Sequence, residues 1–236
     1  MLRDSGFGVK FVSSLSGSST HFAAYVFVDD CDMCHTADHP DVSTSDLLRQ
    51  MQDGVNLWEG GLRATGGALV PSKSHWYLVQ FLWDAKGAMR YATTSDVPAT
   101  LSIRDTNGEF SVLERLHPSE ARRTLGVRLA LDGNNLHEFE FRCAQSQQWA
   151  DRIRAGHLPR SLAWLGLTTT VLKSLEYPLP ATTFSEKDCT AILRPVLRAG
   201  LSASGIVSTF PRALVHAPLK FQGLGLPHLF DHSMHD

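Results

Sequence analysis

The segment HFAAYVFVDDCDMCHT, residues 21–36, decides how the rest of this chain reads. Apolar and β-branched residues lead to two adjacent carboxylates, Asp29 and Asp30, and an extended run resumes at once through Met33 to Thr36. A strand that ends in paired aspartates and doubles back sets two anionic side chains at the tip of a tight turn. Such a tip is a perch for a divalent cation. Magnesium takes a few carboxylate oxygens together with waters and substrate phosphates, so rigid acids facing a cleft suit nucleotidyl transfer. The plainer account is that Asp favours turns for conformational reasons of its own.

Working outward, residues 7–11 read as a short strand, residues 13–19 as a Ser/Gly loop, and residues 21–28 as the strand that feeds the aspartates. After Pro40, the cluster Ser43, Thr44, Ser45 marks a helix N-terminus. Leu47, Met51, Val55, Trp58 and Leu62 then recur at three- and four-residue steps until Gly66 and Gly67 stop the helix. Residues 75–83 form a strand apolar on both faces, which suits burial in a sheet. Residues 87–130 read as meandering β-structure, with Asp105-Thr106-Asn107-Gly108 as a turn between residues 101–103 and 110–113, and a further strand from Arg123 to Leu129.

Beyond the Asp132-Gly133-Asn134 turn the apolar period changes. Leu136, Phe139, Cys143, Ala150 and Ile153 outline one helix, and Leu158, Leu162, Leu165, Leu172 and Leu175 a second. Pro178 and Pro180 separate these from a third, opened by Ser185 and Asp188 in a capping-box arrangement. A β-rich first half, residues 1–132, and a helical second half, residues 133–236, make the class α+β. Trp149 and Trp164 read as core rather than as platforms for stacked bases.

The 236 residues are 43% apolar and 19% charged, ordinary material for one or two globular domains. Apolar runs break well short of the roughly 20 residues that a membrane span needs, and no charged-then-apolar leader opens the chain. Four scattered cysteines, Cys31, Cys34, Cys143 and Cys189, are too few for a disulfide framework and read as free thiols in an intracellular, reducing setting. The net charge of −2 is unevenly spread: residues 1–60 hold three Lys/Arg against nine Asp/Glu, the remainder nineteen against fifteen. An acidic pole on the hairpin and a mildly basic remainder are compatible with a chain that follows a phosphate backbone.

Phe27-Val28-Asp29-Asp30 resembles the aromatic-x-Asp-Asp hairpin in the palm of reverse transcriptases, with Phe where retroviral enzymes more often have Tyr. Further segments continue the resemblance in the right order. TGGALVPSKS, residues 65–74, is similar to the segment where these enzymes place a lysine, here Lys73. RTLGVRLALDGN, residues 123–134, resembles the Leu-Gly hairpin that grips the primer end, here Leu125 and Gly126, and FQGLGLPHL, residues 221–229, resembles the Gly-Leu-Gly segment that follows the thumb in retroelement proteins.

The resemblance is to the non-LTR retroelement branch, and it implies a partial palm of antiparallel sheet with helix, followed by a helical thumb. By the same resemblance, Asp29 and Asp30 would hold Mg2+ and Lys73 would face the leaving pyrophosphate. Leu125 and Gly126 would steady the primer, with an RNA or DNA template, a primer and deoxynucleoside triphosphates as partners. Arg152, Arg154 and Arg160, on the thumb side, are candidate contacts to nucleic acid through phosphates, without sequence readout.

One departure bears on activity. The family's metal set includes an aspartate from a strand well upstream of the hairpin, and only twenty-eight residues precede Asp29. Asp4, the one acid among them, is not in that context, and the fingers segment has no counterpart. The expectation is therefore a palm-and-thumb portion of a longer parent, inactive alone, because two-metal phosphoryl transfer depends on positioning.

Two alternatives stand beside this reading. One is a non-catalytic nucleic-acid-binding or interaction module. The other is a small zinc or haem protein built on Cys31, Cys34, His35 and His39: Cys31-Asp32-Met33-Cys34-His35 satisfies the haem-attachment string, yet it overlaps the return strand, and four zinc ligands in nine residues would need a cramped loop.

Overall fold

Ser43 opens the longest element of the N-terminal half. Its backbone is extended and its side chain accepts a hydrogen bond from the Asp46 amide at 3.1 Å, which satisfies one of the free donors of α1, Thr44–Ala64. At the other end Gly66 takes a left-handed backbone, φ 83°, and the Gly67 amide donates to Leu62 O at 2.8 Å, closing the helix where the paired glycines predicted. The computed structural model describes residues 2, 6–27, 30–37, 39 and 41–233, with Phe27 described through its backbone alone. Two compact units divide the chain, residues 1–120 and 121–236. The segment carrying Leu125 and Gly126 therefore belongs with the helices, whereas the change of apolar period had placed the division at 132.

In the first unit α1 presents Val55, backed by Leu47, Leu48 and Met51, to Trp76, Leu78, Leu101, Ile103 and Leu113. Two polar residues on the same helix face, seven apart, hold it to a strand edge. The Gln52 amide accepts from Ser102 N at 2.9 Å and donates to Ser102 O at 2.8 Å. Buried Glu59 accepts from Arg104 N at 3.2 Å and from Arg63 Nε at 2.9 Å. Buried polar groups of this kind are tolerated because they are paired, and they fix register as well as adhesion.

The described strands associate two by two. β1, Val9–Val12, pairs antiparallel with β2, Ser19–Phe22, and β3, Ala24–Phe27, with β4, Asp30–Met33. β5, His75–Tyr77, is followed by β6, Phe81–Trp83, paired with β7, Met89–Tyr91, and by β8, Ser102–Arg104, paired with β9, Phe110–Val112. β10, Glu114–Leu116, runs parallel to β5. The run 21–28, expected as one strand, is two, because the chain changes partner at Ala23. The run 75–83 likewise divides: Trp76 and Leu78 are buried in the core while Phe81 and Trp83 face solvent. The Asp105–Gly108 turn stands where expected, between β8 and β9.

The second unit begins with a hairpin, β11, Arg122–Thr124, and β12, Val127–Leu129. α2, Leu136–Ala155, and α5, Glu186–Ala203, form its centre. Cys189, Ile192, Val196 and Leu201 on α5 pack with Ala150 and Ile153 of α2 and with Leu167, Leu172 and Leu175. Ser185 and Asp188 complete both hydrogen bonds of the expected capping box.

The second expected helix is present in three parts: α3, Arg160–Gly166, a π turn, Leu167–Val171, and α4, Leu172–Glu176. Two short helices that periodicity did not reveal follow, α6, Arg212–His216, and α7, Leu229–Ser233. Trp149 and Trp164 lie partly buried against this core, as expected. The architecture is α+β. Among the described residues no helix is long and apolar enough to cross a membrane.

Candidate functional site

Strand alternation sets the chemistry of the acidic hairpin. In β4, Cys31 and Met33 turn inward, and Met33 packs on the core beside α1. Asp30 and Asp32 therefore share the outer face, and both are exposed. Asp30 pairs with Phe27 and Asp32 with Tyr25. Asp29 lies outside the described residues. Protein packed around the Asp32 carboxyl raises its pKa, His75 nearby opposes that rise, and the Asp30 charge adds to it. The second acid of the described hairpin is thus Asp32, which reading the adjacent pair alone had passed over. Its signal was the two-residue spacing from Asp30 within an extended run.

Lys73 sits exposed at the end of a 3-10 turn, Pro71–Lys73, which runs directly into β5. His75, the first residue of β5, is the group that opposes the pKa rise of Asp32, so Lys73 is two residues along the chain from a neighbour of the acidic face. Asp30 and Asp32 offer the hard oxygen donors that magnesium takes. Among the described residues, however, no group of three or more His, Cys, Asp or Glu side chains is gathered where a metal could be held. The described acids do not by themselves fit a two-metal centre.

The same finding covers the Cys31, Cys34, His35 and His39 set, because His35 is engaged elsewhere. Its Nδ1 accepts from Gly8 N at 3.0 Å, which leaves Nε2–H to donate to Gln50 Oε1 at 3.0 Å, and its ring stacks on Phe7 at 4.8 Å. Gly8, φ 135°, is required there, since a Cβ would strike Phe22 O and the His21 ring. The imidazole therefore ties the N-terminal segment to α1. All four cysteines are free thiols. Burial, and then the Asp32 charge, pushes Cys31 up to about 11.

In the helical unit Leu125 and Gly126 form the two-residue corner of β11–β12, with φ 49° and 88° and with Thr124 opposite Val127. Two positive φ values in a two-residue loop are the geometry of a type I′ turn. The corner is held from behind. Tyr177 Oη donates to Leu125 O at 2.6 Å, and Arg142 Nη2 donates to Gly126 O at 3.3 Å. Arg142 in turn pairs with Glu138, which is fully buried, and Glu138 accepts from Arg128 N at 2.8 Å. The Arg128 guanidinium lies over the Phe141 ring at 3.6 Å. Read as one strand from its residue pattern and as a hairpin by the resemblance, this segment is a hairpin whose turn is rigidly backed.

The three arginines singled out on the thumb side are not gathered into one patch. Arg152 is exposed, with its guanidinium by the Trp149 ring, and Arg154 pairs with Asp151 at 2.8 Å on the rim of a cleft. Arg160 lines a separate, shallower depression beside Trp164. The cleft that takes Arg154 also takes Arg198 and Arg212, which the sequence reading had not selected. Their signal was weak: two basic residues fourteen apart, separated by a glycine- and proline-containing loop. No family model matches this chain, and neither the curated proteins nor the solved structures hold a match to it.

Proposed function

We propose that this chain is the C-terminal palm and thumb portion of a retroelement reverse transcriptase. Its parent would catalyse template-directed DNA synthesis, joining a primer 3′-hydroxyl to a deoxynucleoside triphosphate. The observation that carries the reading is the antiparallel β3–β4 pair, with exposed acids on its outer face and, near them, the β5 strand that the Lys73 turn feeds. The rigidly backed I′ turn at Leu125 and Gly126, the pair that the sequence resemblance matches to a primer grip, supports it further. In this reading Asp29 and Asp30 belong to the metal-binding set, Lys73 faces the leaving pyrophosphate, and the Leu125–Gly126 corner steadies the primer end. The described acids do not gather a third ligand, so the chain alone is expected to bind primer-template without extending it.

The test is binding of a primer-template with a recessed 3′ end against a blunt duplex of the same length. Preference for the recessed end, with no nucleotide incorporation in magnesium, is the expected result. Equal binding to both duplexes would favour the second reading, a nucleic-acid-binding module without a polymerase role, which the exposed arginines of the helical unit support. Absence of binding to either duplex would remove both.

A further inference from the structure

A cleft of about 760 Å³ opens in the helical unit between the end of α2, the last turns of α5 and the segment that leads into α6. Its charged lining is of one sign. Arg154 comes from the end of α2, His157 from the turn after it, Arg198 from α5 and Arg212 from α6, and no Asp or Glu lines the space. Arg154 is already met by Asp151 at 2.8 Å. Arg198 and Arg212 are not: among the described residues neither has a carboxylate oxygen within 4.0 Å. Arg212 donates to Ser208 O at 3.3 Å, and burial, followed by the proximity of Arg198, lowers its pKa. Ser202 and Thr209 bring hydroxyl groups to the same space.

Two guanidinium groups facing one concave surface repel each other, and no carboxylate among the described residues pairs with either. An anion between them removes that repulsion. The planar forks of arginine, with serine and threonine hydroxyls beside them, match an oxyanion that accepts several hydrogen bonds at once. We propose that this cleft binds a phosphate group, gripped by Arg198 and Arg212, with Arg154 and His157 adding donors at the rim. The phosphate is either a free phosphate or pyrophosphate, or a phosphodiester of a nucleic-acid strand, for which the recognition chemistry is the same. The proposal does not rest on the polymerase reading, which uses neither Arg198 nor Arg212.

The full chain is titrated with inorganic pyrophosphate by calorimetry and with a mixed-sequence, 5′-labelled single-stranded oligonucleotide by anisotropy. The same titrations are run on R198Q/R212Q and on R49Q, a control at an exposed arginine of the first unit. The expected result is binding by the unaltered chain that weakens roughly tenfold or more in the double variant and little in R49Q. Binding of pyrophosphate alone identifies a free phosphate, and binding of the oligonucleotide alone identifies a phosphodiester. No binding of either probe, or equal affinity in the double variant, would overturn the proposal. Should the double variant not fold, phenylglyoxal modification of the unaltered chain decides. Protection of Arg198 and Arg212, but not Arg49, by either probe supports the site, and identical modification with and without the probes rejects it.

Discussion

Leu125 holds a left-handed backbone, φ 49°, at a corner where Asn or Gly would sit without strain. Leu125→Asn is expected to raise stability by about 0.5–1 kcal/mol in urea unfolding. If the corner steadies a primer end, the same variant also loses preference for recessed duplexes, separating a role in binding from a role in folding. Gly126 is the opposite case. Its φ of 88° and the Tyr177 ring 3.3 Å from where a Cβ would stand make Gly126→Ala destabilising, by more than about 1 kcal/mol. Glu138 is fully buried, bonded to Arg142 and to the Arg128 amide. Glu138→Gln would leave the Arg142 charge uncompensated in the interior, and a loss of about 3 kcal/mol is expected from thermal or urea unfolding.

At the scale of the element, α1 shows how tertiary packing overrides propensity. Gly54 lies mid-helix, where alanine would ordinarily be better by about 1 kcal/mol. Here the Phe7 ring covers the glycine so closely that a Cβ would overlap it. Gly54→Ala is expected to lower stability by about 1–3 kcal/mol, through overpacking, instead of raising it. A gain on urea unfolding would show that the Phe7 segment detaches from α1 readily. The capping signals at Ser43 and at Ser185 with Asp188 were legible because a cap is a local contract between residues three apart. The strand divisions at Ala23 and after Leu78 were not legible, because alternation marks a face and says nothing of which strand is the partner.

At the scale of the whole molecule, each unit carries two thiols that resist ionisation, Cys31 and Cys34 in the first and Cys143 and Cys189 in the second. Burial and then Asp32 push Cys31 up to about 11, and burial and then Asp188 do the same for Cys189, from an ordinary value of 9.0. The folded state therefore binds those protons more tightly than the unfolded chain between pH 9 and about 11. The stabilising contribution is complete below pH 9 and is lost as pH rises through the folded values. Urea midpoints are expected to fall over that window. Cys189→Ala should flatten the fall for the helical unit and Cys31→Ala for the first. An unchanged slope in both variants would mean that the thiols are already hydrated in the native state.

The amino-acid sequence alone determined the α+β class, the extent and caps of α1 and the capping box that opens α5, and it picked out the acids, lysine and Leu-Gly pair on which the proposed site is built. Those features follow from periodicity, turn chemistry and residue type within a few positions. Tertiary structure alone decided three other things: that Asp32, beside Asp30, faces outward near His75; that His35 is engaged with Gly8 and Gln50; and that Arg198 and Arg212 meet in one cleft. Each of these depends on where a long loop returns the chain. That return is set by the burial of whole apolar faces, which no local pattern of residues records.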